Sequence, residues 1–303
     1  MENAPVPEVK TPFSWSNFYD RHYMKFTIVP IVILLIALVF LGIFVSKTGD
    51  IFNKDVSLTG GTTITVYTEK AYSADSLENE LKGQFSDVVV RTLTDVSSGK
   101  MLAFTVETKA NVTEVKSSLE GILGYALDEK NSSIEFTGAA LSQSFSKELV
   151  VALLLAFLFM SIVVFILFKN LLPSSYMVFC AFCDIVIPLA IIDTVGLKVS
   201  TAGIAAFLML VGYSVDSDIL LTTRVLKRKD DTLNKRIFGS IKTGMTMTLT
   251  SLVAVFVAYL VVISPVLKQV FLILSIGLLT DMIVTWTINA GLLKWYCHKK
   301  GIQ

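Results

Sequence analysis

Six long apolar blocks constrain the fold of this chain more than any other feature. They cover residues 27–46, 148–168, 174–195, 200–221, 244–264 and 269–293. A helix of about 20 apolar residues crosses the hydrocarbon core of a bilayer, which is ~30 Å thick. The sequence therefore predicts an α-helical, polytopic membrane protein with six transmembrane helices, and we expect the first block to stay in the lipid bilayer as an anchor.

Lysine and arginine are distributed unequally between the short segments on the two sides of the predicted membrane. One side carries Lys10, Arg21, Lys25, Lys169, Arg224, Lys227, Arg228, Lys229, Lys235, Arg236, Lys242, Lys294, Lys299 and Lys300, and the short loops of the other carry Lys198 and Lys268. Positively charged segments stay in the cytoplasm, so we predict that both termini, 1–26 and 294–303, are cytoplasmic in a cell-membrane protein. The same bias explains the basic cluster at 224–242, so nothing indicates nucleic-acid binding.

Residues 47–147, between the first two blocks, are too long and too patterned for a loop. They predict a strand at 56–68, a helix at 73–85, strands at 87–96 and 101–107 around a turn, a helix after Asn111, and a strand at 133–138. Asn111 and Glu114 have the spacing of a capping box. The order βαββαβ predicts an α+β, ferredoxin-like domain on the extracytoplasmic side.

We expect four aspartates to be embedded in the membrane: Asp184, Asp216, Asp218 and Asp281. No lysine or arginine lies inside any of the apolar blocks. A charged side chain at the bilayer centre costs about 2.5–3.5 kcal/mol on insertion scales, so such residues mark ion pathways and other functional sites. An acid without a counter-charge becomes protonated, faces water or pairs with a partner subunit. We therefore predict an ion-coupling site here, with protons and sodium ions both open.

Two polar faces are expected to pack towards these acids. Asp281, Thr285 and Asn289 recur every four residues in the sixth block and so share one helical face. The fifth block carries Thr243, Thr246 and Thr250. By contrast, Asp193 lies near the end of the third block, where we expect water to solvate it.

Several other features favour ordinary structural roles. Cys180, Cys183 and Cys297 lie in or beside apolar blocks without a neighbouring histidine, which favours buried thiols and predicts no metal site and no cofactor. Arg224 is either a positive-inside anchor or a gate. The segment 231–243 places apolar residues on one helical face and basic residues on the other. This pattern predicts an amphipathic helix on the cytoplasmic membrane surface, just before the fifth span, within the helical region 148–293.

Two motifs stand out in the sequence: Gly212-Tyr213-Ser214-Val215, followed by acids and Arg224, and Asp55 with Gly60-Gly61-Thr62. The first resembles the fourth-span signature of the SecF family, a component of the SecDF protein-export complex in the resistance-nodulation-division superfamily. Asp55 and Gly60-Gly61-Thr62 resemble the element that opens its external domain, where paired glycines indicate a bulge or a close backbone approach. The order Asp216-Ser217-Asp218 is more similar to archaeal members than to bacterial ones, which have Asn-Asp-Thr.

The resemblance implies a non-enzymatic membrane subunit that acts with SecD and the Sec translocation channel on translocating polypeptide, driven by the proton gradient. A passive scaffold of the channel is one alternative, although it needs no buried acids. A small-molecule exporter of the same superfamily is another, although such exporters usually carry both halves in one chain. An intramembrane aspartyl protease is disfavoured because its Gly-x-Gly-Asp element is absent from the sequence.

Overall fold

The computed structural model describes residues 15–68, 70–85, 88–95, 99–228 and 231–301. In chain order its elements are α1 Trp15–Thr48, α2 Val56–Thr59, β1 Gly61–Tyr67, α3 Ala74–Lys82, β2 Val89–Thr94, β3 Met101–Thr108, α4 Val112–Leu123, β4 Ser132–Thr137, α5 Ala139–Phe168, α6 Leu171–Thr194, α7 Thr201–Lys227, α8 Leu233–Val261, α9 Pro265–Val284, a π-helical segment Thr285–Asn289, and α10 Ala290–Lys300. The residues at 96–98, in the predicted turn between β2 and β3, lie outside the described ranges.

Six segments among the described residues are long and apolar enough to cross a membrane. They are His22–Thr48, Lys147–Phe168, Leu171–Thr194, Thr201–Lys227, Leu233–Val261 and Pro265–Lys300. The sixth combines α9, the π-helical segment and α10. These segments match the six predicted blocks and confirm a multi-pass helical architecture.

The spans divide into a buried centre and an exposed periphery. The most apolar stretch of the sixth span is 61% buried within the chain, whereas the corresponding stretches of the second and fifth are 6% and 11% buried. Helix α9 packs against α6, α7 and α8. The candidate acids are therefore carried by the central helices α6, α7 and α9.

The inserted domain, residues 56–137, folds between α1 and α5. Its antiparallel sheet has the strand order β2-β3-β1-β4. Ile64 and Phe104 on one sheet face pack against Leu81 of α3 and against Val115 and Leu119 of α4, all fully buried. Alternation along the strands and helical spacing in α3 and α4 produce this apolar core, and the predicted βαββαβ order is confirmed.

The first predicted strand begins later than its β-branched composition indicated. Asp55 caps a helical turn instead, because its carboxylate accepts the Val56 N–H at 2.7 Å. Gly60 then turns the chain with a φ of 88°, and β1 begins at Gly61. A Cβ at Gly61 would lie 2.4 Å from the Thr108 carbonyl oxygen, so the expected close backbone approach is present.

The predicted amphipathic helix at 231–243 is not a separate element. Helix α8 runs without a break from Leu233 to Val261, because no proline or turn interrupts it. Leu233 and Ile237, on the apolar face of this segment, pack against residues of α7 and α10. Arg236 is buried and donates to the carbonyls of Val225 and Arg228, which satisfies the end of α7.

Candidate ion-coupling site

Asp218 of α7 is fully buried between α7 and the sixth span. Its Oδ1 accepts a hydrogen bond from Asn289 Nδ2 at 2.7 Å and one from Thr285 Oγ1 at 3.1 Å. The fourth-span acid thus meets the polar face of the sixth span. This geometry agrees with the expectation that Asp281, Thr285 and Asn289 face the acids of the fourth block.

Thr285 connects Asp218 to a second acid. Its Oγ1 lies 3.0 Å from Oδ1 of Asp281, which is one helical turn earlier and is also buried. A hydroxyl group has one proton, so Thr285 can donate to either carboxylate but not to both at once. The other contact is a hydrogen bond only when that carboxyl group is protonated and donates to Thr285. The arrangement therefore suits two carboxyl groups that share a proton.

The helix is locally widened where these partners lie. Thr285–Asn289 forms a π-helical segment within an otherwise α-helical span. Such segments are uncommon and are often found at functional sites. Thr27 of α1 supports this one, since its hydroxyl donates to the Thr287 carbonyl at 2.8 Å.

A third acid joins from α6. Asp184 is 1% exposed, and its Oδ2 accepts a hydrogen bond from Ser214 Oγ at 2.6 Å. Ser214 precedes Asp218 by four residues and is buried on the same face of α7. The acids of α6 and α9 therefore lie beside the stretch of α7 that carries Asp218. We call the following six residues the acid cluster: Asp184, Ser214, Asp218, Asp281, Thr285 and Asn289.

The acid cluster contains polar atoms without protein partners. Oδ1 of Asp184 and Oδ2 of both Asp218 and Asp281 are buried and accept no hydrogen bond from the residues that the structure describes. Within those same ranges, none of the three forms an ion pair. Burying such groups is unfavourable unless a proton, an ion or water satisfies them. The cluster is thus chemically able to take up a proton.

Two predicted candidates do not join the acid cluster. Asp216 is exposed on the outer surface of α7, near the 45%-exposed Tyr213. Arg224 donates from Nη1 to the Gly239 carbonyl at 2.8 Å and to Thr243 Oγ1 at 2.9 Å, which fixes α7 to α8. In this structure Arg224 therefore tethers two helices.

Two further expectations are wrong. Thr246 and Thr250 of α8 are exposed, so the predicted threonine face does not meet the acids. The buried face of α8 instead carries Ser240, Gly244 and Thr248, small residues at a spacing of four, which is a pattern that allows close helix packing.

Asp193 is 5% exposed rather than solvated, because the chain entering the inserted domain covers it. Its Oδ1 accepts the Asn53 N–H at 2.9 Å.

The motif residues near position 55 lie at the junction of the inserted domain and the spans. Asp55 borders a cavity of about 440 Å³ that Arg91, Glu107, Lys198 and Gln269 also line. Burial raises the pKa of the Asp55 carboxyl group above its ordinary value of 3.8, and the nearby Glu107 raises it further. Sequence reasoning missed Gln269 and Lys198 here, because nothing local in the sequence marks a contact between distant segments.

The fold and the acid cluster define a class: a six-span membrane protein with a ferredoxin-like domain between its first two spans and acids buried in its central helices. The family model described as protein export membrane protein SecD/SecF, C-terminal, matches residues 115–299. SecF of Thermococcus gammatolerans is 35% identical over 90% of this chain and 85% of its own length. SecF of Methanolacinia petrolearia is 36% identical over 94% and 97%. The chain therefore belongs to the SecF branch of the SecD/SecF family, and both of these relatives are archaeal.

Solved structures show the same fold. The crystal structure of SecDF from Thermus thermophilus superposes with a TM-score of 0.75 at 19% identity, over 96% of this chain and 40% of that one. The present chain thus corresponds to less than half of that SecDF chain. The family consists of protein-export membrane proteins, so this chain is a transport protein and not an enzyme.

Proposed function

We propose that this chain acts with a SecD partner in protein export and that its acid cluster couples export to proton movement. The observation that carries the proposal is the Thr285 hydroxyl, which lies within 3.1 Å of Asp218 and 3.0 Å of Asp281 in a site without an ion-pair partner among the described residues. A passive scaffold has no use for buried acids that share a hydroxyl, whereas a proton-driven device needs them.

The same geometry suggests how a proton changes the shape of the bundle. With one proton in the pair, Thr285 and Asn289 bridge α7 and the sixth span. Without it, two carboxylates at one hydroxyl repel each other, and the helices must separate or admit water. Proton binding therefore favours one packing of α7 against α9 over another, which is how a ligand shifts a two-state equilibrium. Asp184 and Ser214 extend the polar path towards α6.

Orientation in the membrane is part of the proposal. Basic residues cluster at the end of α7, in the loop that follows and in the first turns of α8, which supports a cytoplasmic position for that loop and for both termini. The inserted domain then lies on the extracytoplasmic side, where it would contact polypeptide emerging from the Sec translocation channel.

The outer face of α7 supports a place for SecD. Asp216 is exposed on a surface that is otherwise suited to lipid, and an acid there requires a polar partner or water. Gly212 lies on the same surface, and a Cβ at that glycine would meet nothing within 4 Å among the residues that the structure describes. The missing side chain at Gly212 therefore leaves room for a helix of another chain, because glycine permits close approach between membrane helices.

Neutralising Asp218 tests the proton-coupling proposal. We expect Asp218→Asn to keep its association with SecD and to abolish the gradient-dependent part of export into proteoliposomes, since asparagine hydrogen-bonds but takes up no proton. The matched control is Asp231→Asn, the same substitution at an exposed position beside Lys235. Thr285→Val, which removes only the shared hydroxyl, should weaken the gradient response, and Thr285→Ser should restore it. Normal export by Asp218→Asn in complex with SecD would leave the scaffold alternative.

A further inference from the structure

The segment that leads from α1 into the inserted domain contacts two acid-bearing spans directly. The Asn53 N–H donates to Asp193 Oδ1 at the end of α6 at 2.9 Å. Ser57 Oγ accepts the N–H of Thr201, the first residue of α7, at 3.1 Å. The entry to the domain is thus bonded to the outer ends of α6 and α7.

The loop between α6 and α7 pairs with this same segment as a short parallel ladder. The Asp55 N–H donates to the Val199 carbonyl at 3.0 Å, and the Val199 N–H donates to the Asn53 carbonyl at 2.7 Å. The loop and the domain entry therefore form one continuous piece of structure.

The third acid-bearing span is bonded to that loop through one side chain. Gln269, in the first turns of α9, donates from Nε2 to the Lys198 carbonyl. Its Oε1 accepts the Ser200 N–H at 3.2 Å and the Ser200 hydroxyl. Asp281 lies 12 residues further along the same helix, about 18 Å from Gln269 at 1.5 Å per residue. A rigid helix therefore joins this contact to the acid cluster.

Lys198 completes the connection to the sheet. Its Nζ lies 2.9 Å from Glu107 Oε2 on β3, and Arg91 of β2 lies 3.8 Å from Glu107 Oε1. The Glu107 side chain is 8% exposed, so water screens this ion pair less than it screens a surface pair. One residue thus binds the sheet with its side chain and α9 with its backbone.

We infer that Glu107, Lys198 and Gln269 form a strut that makes the inserted domain move with α6, α7 and α9. The strut is a positioning device, since none of its members belongs to the acid cluster. The rigid linkage stands on the contacts alone. Its use in export rests on the proposed function, because it would carry a change in the packing of α7 against α9 to the domain that contacts the polypeptide.

Spin-label distances in the full chain with its SecD partner test the linkage. One label is attached at Ser117, exposed on α4, and the other at Leu267, exposed at the start of α9. The native cysteines are buried, so labels attach to the introduced ones. We expect one narrow distance distribution in the parent and a broad one in Lys198→Met and in Glu107→Gln. Combining these two substitutions should add little, because either one alone removes the ion pair.

The matched control is Lys268→Met. Lys268 lines the same cavity but lies over the Tyr259 ring, 5.5 Å from its centroid. This variant should keep the narrow distribution. In the export assay we expect Lys198→Met to lose roughly 5-fold or more of the gradient-dependent rate, the lower end of typical coupling between sites, and Lys198→Arg to recover most of it.

The outcomes separate the strut from the proton-coupling proposal. A narrow distribution in Lys198→Met overturns the strut, whatever Asp218→Asn does. A broad distribution with an unchanged export rate overturns its role in export. If Asp218→Asn exports normally while Lys198→Met broadens the distances, proton coupling fails and the rigid linkage stands.

Discussion

The inserted domain and the membrane spans both bury apolar side chains, but they differ in the acids buried among them. In the domain, Phe104, Val115 and Leu119 form an apolar core, and the buried acid Glu107 is ion-paired with Lys198. In the spans, Asp218 and Asn289 are fully buried while many large apolar residues are exposed. Water drives the first arrangement through the hydrophobic effect, but lipid offers no such drive between helices. Polar residues buried in the domain therefore need a structural explanation, whereas those buried in the spans point to function.

Truncating the domain core should give the largest effect on stability. Phe104→Ala removes a fully buried ring that contacts Tyr72 edge-on, with 5.5 Å between ring centroids. We expect a loss of about 3–5 kcal/mol in the free energy of unfolding of the domain. Hydrogen exchange of the β3 amides in the intact chain measures it. Phe136→Ala, at a 58%-exposed position of β4, is the control and should change exchange little. Equal effects would contradict an apolar core as the source of domain stability.

In the spans, enlarging a small residue at a helix contact should lower stability most. A Cβ at Gly244 of α8 would lie 2.1 Å from the Trp286 ring, which belongs to the π-helical segment. We expect Gly244→Ala to lower stability by about 1–3 kcal/mol, the usual result of overpacking. Thermal unfolding of the purified protein in detergent measures the change. At Gly239 of the same helix a Cβ would meet no described residue within 4 Å, so Gly239→Ala should not destabilise the protein. A stable Gly244→Ala variant would contradict the close packing of α8 against the acid-bearing span.

The comparison also explains what could be predicted from the sequence. Lipid around the spans requires long apolar runs, and water around the domain requires alternation along its strands. The six spans and the βαββαβ order could therefore be predicted from the sequence. The spacing of Asp281, Thr285 and Asn289 likewise located one face of the site. Asp216 and Asp218 were not distinguishable, because both lie in the same apolar block and only the packing of α9 decides which one is buried. Asp193 and Gln269 depend on long-range contacts that no local pattern encodes.

The smallest effect is expected at the junction between the domain and the spans, where the stability of the domain should depend on pH. The pKa of Asp55 is raised in the folded protein, so the folded state binds more protons than the unfolded state above pH 3.8. The stability of the domain should therefore fall as pH rises from 3.8 through the raised pKa. Asp55→Asn keeps the cap on Val56 and should flatten this dependence. Hydrogen exchange, corrected for its intrinsic pH dependence, measures it, with Asp75→Asn at an exposed position of α3 as the control. An unchanged slope in Asp55→Asn would assign the dependence to another group.

Proton entry into sealed vesicles tests the central claim most directly. The complex of this chain with SecD is reconstituted with a pH-sensitive dye inside, and an imposed pH gradient is applied during export of a polypeptide. We predict export-dependent proton movement in the parent and in Asp231→Asn, and movement at the level of empty vesicles in Asp218→Asn and Asp281→Asn. Proton movement at the parent rate in both cluster variants, with SecD still bound, would contradict a role for the acid cluster in coupling.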